Sequence, residues 1–303
     1  MSYKPDRLNG TEKSTLLTVN CRGEIGGDCF LIRGKGANIL VDAGFAFCAR
    51  EAAEKIADEL KGEALDYILL THSHYDHAMG APYFRKTFPE VKVIGSEYCD
   101  YILSKPTARK KMQEMDDFAA KAYGHKASEN LTDGLYCDIT LKDGEEIILG
   151  EERIRAVALP GHTRCCMGYF FEDEKMLVSC ETLGILADES LIFPGCLIGY
   201  RMTLDSIEKA LSLGASELLI PHSGYLYGKD IEDYLTSSEK ATEDCKSLIV
   251  DSYKRGKDFD GIVEEYKEKY YSQEISKSYP EHALMANLTA QIPMFIKECG
   301  ENQ

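Results

Sequence analysis

The run Thr71-His72-Ser73-His74-Tyr75-Asp76-His77 gathers four metal-ligand side chains into six residues. The apolar stretch Tyr67-Ile68-Leu69-Leu70 leads into it, and Ala78-Met79-Gly80-Ala81-Pro82-Tyr83-Phe84 leads out with the composition of a helix start. The order predicts a strand, a tight loop and a helix, with the ligands fanned around the loop. Imidazole is the commonest borderline metal ligand, and carboxylate oxygen completes such sites. His72 and His74, two apart in extended backbone, point the same way and can share one ion. Asp76 and His77 lie past the bend and can reach a second. The chain has seven His in 303 residues, so three in this one window is a concentration that an incidental polar loop does not explain.

Outward from that loop the pattern repeats. Val157-Ala158-Leu159 ends in Pro160-Gly161-His162, and Leu218-Leu219-Ile220 ends in Pro221-His222. Three apolar strands thus stop at short loops bearing His. Strand ends along one sheet edge are neighbours, and sites gather on loops held by a rigid scaffold. His162 and His222 are therefore expected beside the first cluster. Glu181, in Cys180-Glu181-Thr182 after the strand Met176-Leu177-Val178-Ser179, is expected with them.

The flanking regions read as alternating strand and helix. Leu16 to Asn20 is a candidate first strand; Cys29 to Arg33 and Asn38 to Asp42 form a hairpin around Gly34-Lys35-Gly36. Ala52, Ile56 and Leu60 mark an amphipathic helix that Gly62 stops. Residues 96 to 135 read as a helical, irregular insertion or wall. From Asp230 the composition turns to charged helix with three apolar stripes, the third from Ala283 to Ile296 interrupted at Pro293. The expected organisation is a catalytic domain over residues 1–228 and a helical extension over 229–303.

The formal net charge of −16 argues against nucleic acid, whose phosphates need clustered Lys and Arg. No stretch approaches the roughly 20 apolar residues of a membrane span. The start, Met1-Ser2-Tyr3-Lys4-Pro5-Asp6, has no apolar leader, so a cytoplasmic chain is expected. Eleven scattered Cys without a CxxC pair fit reduced thiols, with Cys165-Cys166 as small buried hydrophobes. His125 reads as solvent-exposed.

Taken together, His72-Ser73-His74-Tyr75-Asp76-His77, Pro160-Gly161-His162-Thr163 and Pro221-His222-Ser223-Gly224 resemble the signature of the metallo-β-lactamase superfamily. Asp42, after the second hairpin strand, matches its Val-Asp-x-Gly element. The likeness covers roughly residues 15 to 228. It implies a mixed α/β (α+β) fold, a four-layer αββα sandwich, with C-terminal helices that roof the site. It also implies that His72, His74 and His162 hold one metal, that Asp76, His77 and His222 hold another, and that Glu181 bridges them. Glu181 stands where the family has Asp, which keeps the charge and adds a methylene.

The implied activity is metal-dependent hydrolysis of an ester, thioester, lactone or phosphodiester-type small molecule, with Asp76 both ligating and orienting the attacking hydroxide. Two divalent ions are expected: zinc first, with iron or manganese suited to the same ligands. The rival readings are a metal-bound sensor and a mononuclear iron oxygenase, because one fold hosts many reactions. The expected partner is a small-molecule substrate, and the reading leaves room for a homodimer. Tyr75, Tyr200, Arg201 and His282 are the candidate substrate contacts, His282 as a group reaching down from the third C-terminal helix.

Overall fold

The structure is a computed structural model that describes residues 29–186, 191–273 and 275–300, together with the strand Leu16–Val19. The chain's first residues, on which the leader reading rests, lie outside the described residues.

The first sheet contains β1 (Leu16–Val19), β2 (Cys29–Arg33), β3 (Asn38–Val41), β4 (Tyr67–Leu69), β5 (Lys92–Ser96) and β6 (Ile139–Leu141), in that spatial order. β1, β2 and β3 pair antiparallel, and β3 through β6 pair parallel. The second sheet contains β7 (Glu146–Leu149), β8 (Glu152–Ala158), β9 (Met167–Phe171), β10 (Met176–Val178), β13 (Glu217–Ile220) and β14 (Gly224–Tyr227), ordered β14-β13-β10-β9-β8-β7. A short hairpin of β11 (Ile185–Leu186) and β12 (Ile192–Phe193) stands apart.

Strand periodicity sorts the side chains into layers. Phe30, Ile32, Ile39 and Val41 point inward and meet Ile154, Ala156, Tyr169, Phe171 and Val178 of the second sheet. Leu31, Leu40 and Ile68, one residue out of step, point the other way and pack under α1 (Ala49–Leu60) and α3 (Ala81–Thr87). On the far face of the second sheet Val157, Phe170, Leu177 and Leu218 pack under α6 (Tyr200–Ser212) and the first turns of α7 (Lys229–Lys254). Helix, sheet, sheet and helix make the expected αββα stack.

The remaining helices stand at the edge where the His-bearing loops emerge. They are the short α2 (Tyr75–Ala78), α4 (Glu97–Leu103), α5 (Pro106–Ala122), α8 (Phe259–Tyr270), α9 (Ile275–Ser278) and α10 (Glu281–Cys299). The segment read as an irregular wall is thus mostly α4 and α5. α10 runs unbroken through Pro293, contrary to the interruption expected there. The proline removes one helical donor, but Ile292 and Phe295 on either side are buried against Ile249 and Tyr266, and that packing holds the helix.

Candidate metal centre and cleft

Topology brings the loops together. β3 and β4 run parallel, so Asp42 and Thr71 leave the first sheet at the same edge; the Asp42 N–H donates to Leu69 O at 2.9 Å. β10 and β13 also run parallel, which sets Glu181 and His222 side by side. β8 is separated from β10 by one antiparallel neighbour and so points the same way, delivering His162. Two glycines allow the close approaches. A Cβ on Gly80 would fall 1.9 Å from Ala43 O, and one on Gly195 would fall 1.7 Å from Glu181 O.

The side chains converge as two groups. His72, His74, His162 and Glu181 form one; Asp76, His77, Glu181 and His222 form the other. Within each group the ligand atoms lie within 4.8 Å of one another. Glu181 belongs to both and divides its oxygens between them. Oε2 is 2.6 Å from His162 Nε2 and 4.0 Å from His72 Nε2. Oε1 is 2.8 Å from His222 Nε2 and 3.3 Å from His77 Nε2. Asp76 Oδ2 stands 3.7 Å from His222 Nε2 and 3.8 Å from His77 Nε2.

A layer beneath fixes the rings. Asp42 accepts from the Thr71 N–H (2.7 Å) and the Thr71 hydroxyl (2.9 Å), and its Oδ2 lies 2.8 Å from His77 Nδ1. The Nδ1 hydrogen of His77 therefore points at Asp42 and its Nε2 faces the site. Asp42 (φ 56°) and His222 (φ 60°) both hold left-handed backbone, an uncommon state for residues with a Cβ that collects at functional sites.

Charge follows position. Burial pushes His72 well below the ordinary imidazole range, with His77 and His74 adding to it, and burial with His162 takes His74 down to about 4. Both rings are neutral near pH 7, as metal ligands must be. Burial alone would neutralise His77 and Glu181 too. Asp42 and Asp76 outweigh it at His77 and raise that ring, while His162 and His222 outweigh it at Glu181 and keep the carboxylate ionised.

The donor set fits a cation. His72 Nε2 is buried and has no hydrogen-bond partner, a state that costs about 1–3 kcal/mol unless something binds there. His77 Nε2 and His222 Nε2 face each other at 3.0 Å, two ring nitrogens directed at the place a cation would take. The groups could hold divalent metal, with nitrogen and carboxylate donors but no thiolate.

Above the centre lies a cleft with two arms. The inner arm, about 130 Å³, is walled by Ile185, Leu186, Phe193, Tyr266, Leu284 and Leu288. The outer arm, about 580 Å³, is walled by Tyr98, Ile102, Met112 and Met115 of α4 and α5, and by Ala283, Ala286 and Ala290 of α10. Asp76, His162, Glu181, Tyr279 and Asn287 line both. Tyr279 OH accepts from Asn287 Nδ2 at 2.7 Å. Burial, with the charges of Glu181 and Asp76 behind it, pushes the Tyr279 phenol up, so it stays protonated.

The expected substrate contacts fare unequally. Tyr75 lines the outer arm while packing on Phe45, 5.6 Å between centroids. Arg201 is exposed and pairs with Asp205 at 2.8 Å; Tyr200 packs on Phe295 and its N–H donates to Glu298. Neither is among the residues of the two arms. His282 is not there either: its ring faces Phe118 of α5, 6.0 Å between centroids, and burial lowers its pKa. Helix geometry explains the miss. Five residues at 100° each carry Asn287 about 140° around from His282, so one helix cannot aim both at the metals. Tyr279 was overlooked because it stands in the short turn before α10, where residue type alone does not reveal direction. His125 is exposed, and Cys165 and Cys166 are buried.

Residues 22–222 match the model of the metallo-beta-lactamase superfamily. A metallo-beta-lactamase fold-containing protein, ST1585 of Sulfurisphaera tokodaii, is 26% identical over 212 residues, covering 68% of this chain and 76% of that protein. A hydroxyacylglutathione hydrolase of Brucella anthropi is 29% identical over 132 residues, covering 44% of this chain and only 38% of its own length. Among solved structures, the metallo-beta-lactamase family protein TTHA1429 of Thermus thermophilus superposes with a TM-score of 0.59 at 20% identity, covering 79% of this chain and 82% of that one. No helix among the described residues is long and apolar enough to cross a membrane. The match runs through every loop that builds the centre, and the chain belongs to the metallo-beta-lactamase superfamily.

Proposed function

We propose that this chain is a metal-dependent hydrolase that cleaves a carboxylic thioester or ester, with one divalent ion in each His-carboxylate group, zinc being the first candidate. The observation that carries the reading is the division of the Glu181 oxygens between two ligand groups, each otherwise completed by three side chains. His72, His74 and His162 would hold one ion, Asp76, His77 and His222 the other, and Glu181 both. Ions so held supply Lewis acidity and a water acidic enough to react near pH 7.

The protein's own groups then divide the remaining work. Asp76 is partly exposed at the floor of both arms, where it orients the attacking water and accepts its proton. Tyr279, its oxygen held by Asn287, has its hydroxyl hydrogen free to donate to the substrate oxygen that gains charge. The helices over the cleft exclude bulk water and strengthen both interactions. Phosphodiesters are the weaker choice. Only Lys111 and Arg164 are cationic among the residues of the two arms, both in the outer one, and a transferring phosphoryl group needs a clamp of such charges. Relatives named as hydroxyacylglutathione hydrolases, whose substrates are thioesters, support the carbonyl reading.

The test is metal analysis of anaerobically purified protein followed by a panel of thioesters, esters, lactones and phosphodiesters. Two ions per chain and turnover of a carbonyl substrate are expected. One iron per chain with oxygen consumption would replace the hydrolase by an oxygenase; a filled site with no turnover would leave a binding protein. Glu181→Ala should lose at least one ion, while Glu181→Asp should keep metal and change the rate.

A further inference from the structure

α10 is a ridge between two unequal rooms. Its residue Asn287 points at the centre and lines both arms. Around the helix from it, Ala283, Ala286 and Ala290 turn to the outer arm, and Leu284, Leu288 and Gln291 turn to the inner one. At 100° per residue the two sets fall on opposite sides of Asn287, each within about 100° of it. The alanines are what leave the outer arm wide; the leucines make the inner arm narrow and apolar. Gln291 Nε2 donates to Cys196 O at 3.0 Å, which ties this side chain to the loop beneath it. No Lys or Arg lines the inner arm.

We propose that the inner arm is an acyl pocket, selecting an unbranched alkanoyl or an aroyl group of about six carbons, with the thiol or alcohol portion of the substrate lying in the outer arm. This rests on the hydrolase reading above and names its substrate class. Size sets the limit: an apolar cavity of about 150 Å³ accepts benzene, and the inner arm offers about 130 Å³. Direction follows from the chemistry. Water adds to the carbonyl carbon, the C–S or C–O bond breaks, and the leaving thiol or alcohol takes a proton while the acid stays at the centre. The first product needs the wider exit, so the acyl group belongs in the narrower arm. Each methylene buried there contributes about 0.8 kcal/mol, roughly fourfold in kcat/KM.

The experiment pairs two readouts on metal-loaded protein. One is kcat/KM for thioesters of 3-mercaptopropionate carrying acetyl, butanoyl, hexanoyl, octanoyl and benzoyl groups. The other is calorimetric binding of the corresponding free acids. Both should rise from acetyl to hexanoyl by tenfold or more and fall at octanoyl. Leu288→Phe, which fills the arm, should move the optimum to shorter chains. Leu186→Ala, at a half-buried position less prone to unfold the protein, should move it to longer ones. Hydrolysis with a flat chain-length profile that neither variant shifts overturns the acyl pocket and leaves the hydrolase intact. Acids that bind with the expected profile while no thioester is cleaved overturn the hydrolase reading, and the substrate assignment falls with it.

Discussion

At the scale of single residues, the centre depends on groups that never touch a metal. Asp42 is the clearest. It ties the Thr71 backbone to β3 and accepts from His77 Nδ1, fixing which nitrogen of His77 faces the site. Replacing Asp42 by Ala frees that ring and leaves its tautomer undetermined. On the proposed two-ion reading, affinity for one ion should fall about 10–100-fold, and the other should be affected less. Competitive titration with a chromophoric chelator would resolve the two steps, and equal affinity in variant and parent would remove Asp42 from the metal-holding machinery. Tyr279 is tested by kinetics. Tyr279→Phe deletes one donor without a void, so kcat should fall about 100-fold with KM and metal content little changed. A KM effect alone would make it a substrate-packing residue.

At the scale of elements, legibility in the sequence followed the kind of signal. β4 and its loop were readable because ligand spacing and an apolar lead-in coincide, and His162 and His222 because each closes an apolar run with the same punctuation. β2 and β3 read as continuous apolar runs, because both of their faces are buried, so the sequence does not say which face meets the other sheet. The aim of α10 was not readable, because two apolar faces flank Asn287 and a helical pattern does not tell a buried stripe from a cleft lining. α5 hides another feature. Asp116 on its buried face accepts from the Ala46 N–H at 2.8 Å and from Ser128, tying the Phe45–Cys48 turn to the helix. Burial nevertheless raises its carboxyl from 3.8 to about 6. A raised carboxyl pKa stabilises the fold fully below pH 3.8, and that contribution is lost as pH rises through 6. Between pH 5 and 7 the loss is about 1 kcal/mol. Asp116→Asn removes this titration, so its stability relative to the parent should improve by that amount from pH 5 to pH 7. Denaturant melts at the two pH values measure it, and parallel curves would show that Asp116 titrates normally.

At the scale of the whole molecule, the centre joins the two sheets at one edge. His72 and His74 come from the loop after β4, Asp76 and His77 from the short α2 that follows it, and His162, Glu181 and His222 from the connections that leave the strands of the second sheet. Elsewhere the sheets meet through a continuous apolar layer around Ile39, Leu69, Tyr169 and Phe171. That layer owes nothing to metal, so ion removal should loosen the edge and spare the core. The site brings His77 Nε2 and His222 Nε2 to 3.0 Å and leaves the buried His72 Nε2 without a partner, a cost that bound cations would relieve. Ions that bind only the folded chain stabilise it by about 2.7 kcal/mol at 100 times their dissociation constant, and by about 4.1 at 1,000 times. For a chain of this length, each kcal/mol moves the melting temperature by about 2 °C. Chelation should therefore lower it by roughly 5 to 10 °C while the transition stays cooperative. Hydrogen exchange locates the effect: amides of residues 71–78, 160–163 and 221–224 should exchange faster in the apo protein, and those of β3, β9 and β10 should not. Uniformly faster exchange would mean that the ions hold the entire sandwich together, and unchanged exchange in the three loops would mean that the ligands stand preformed without them.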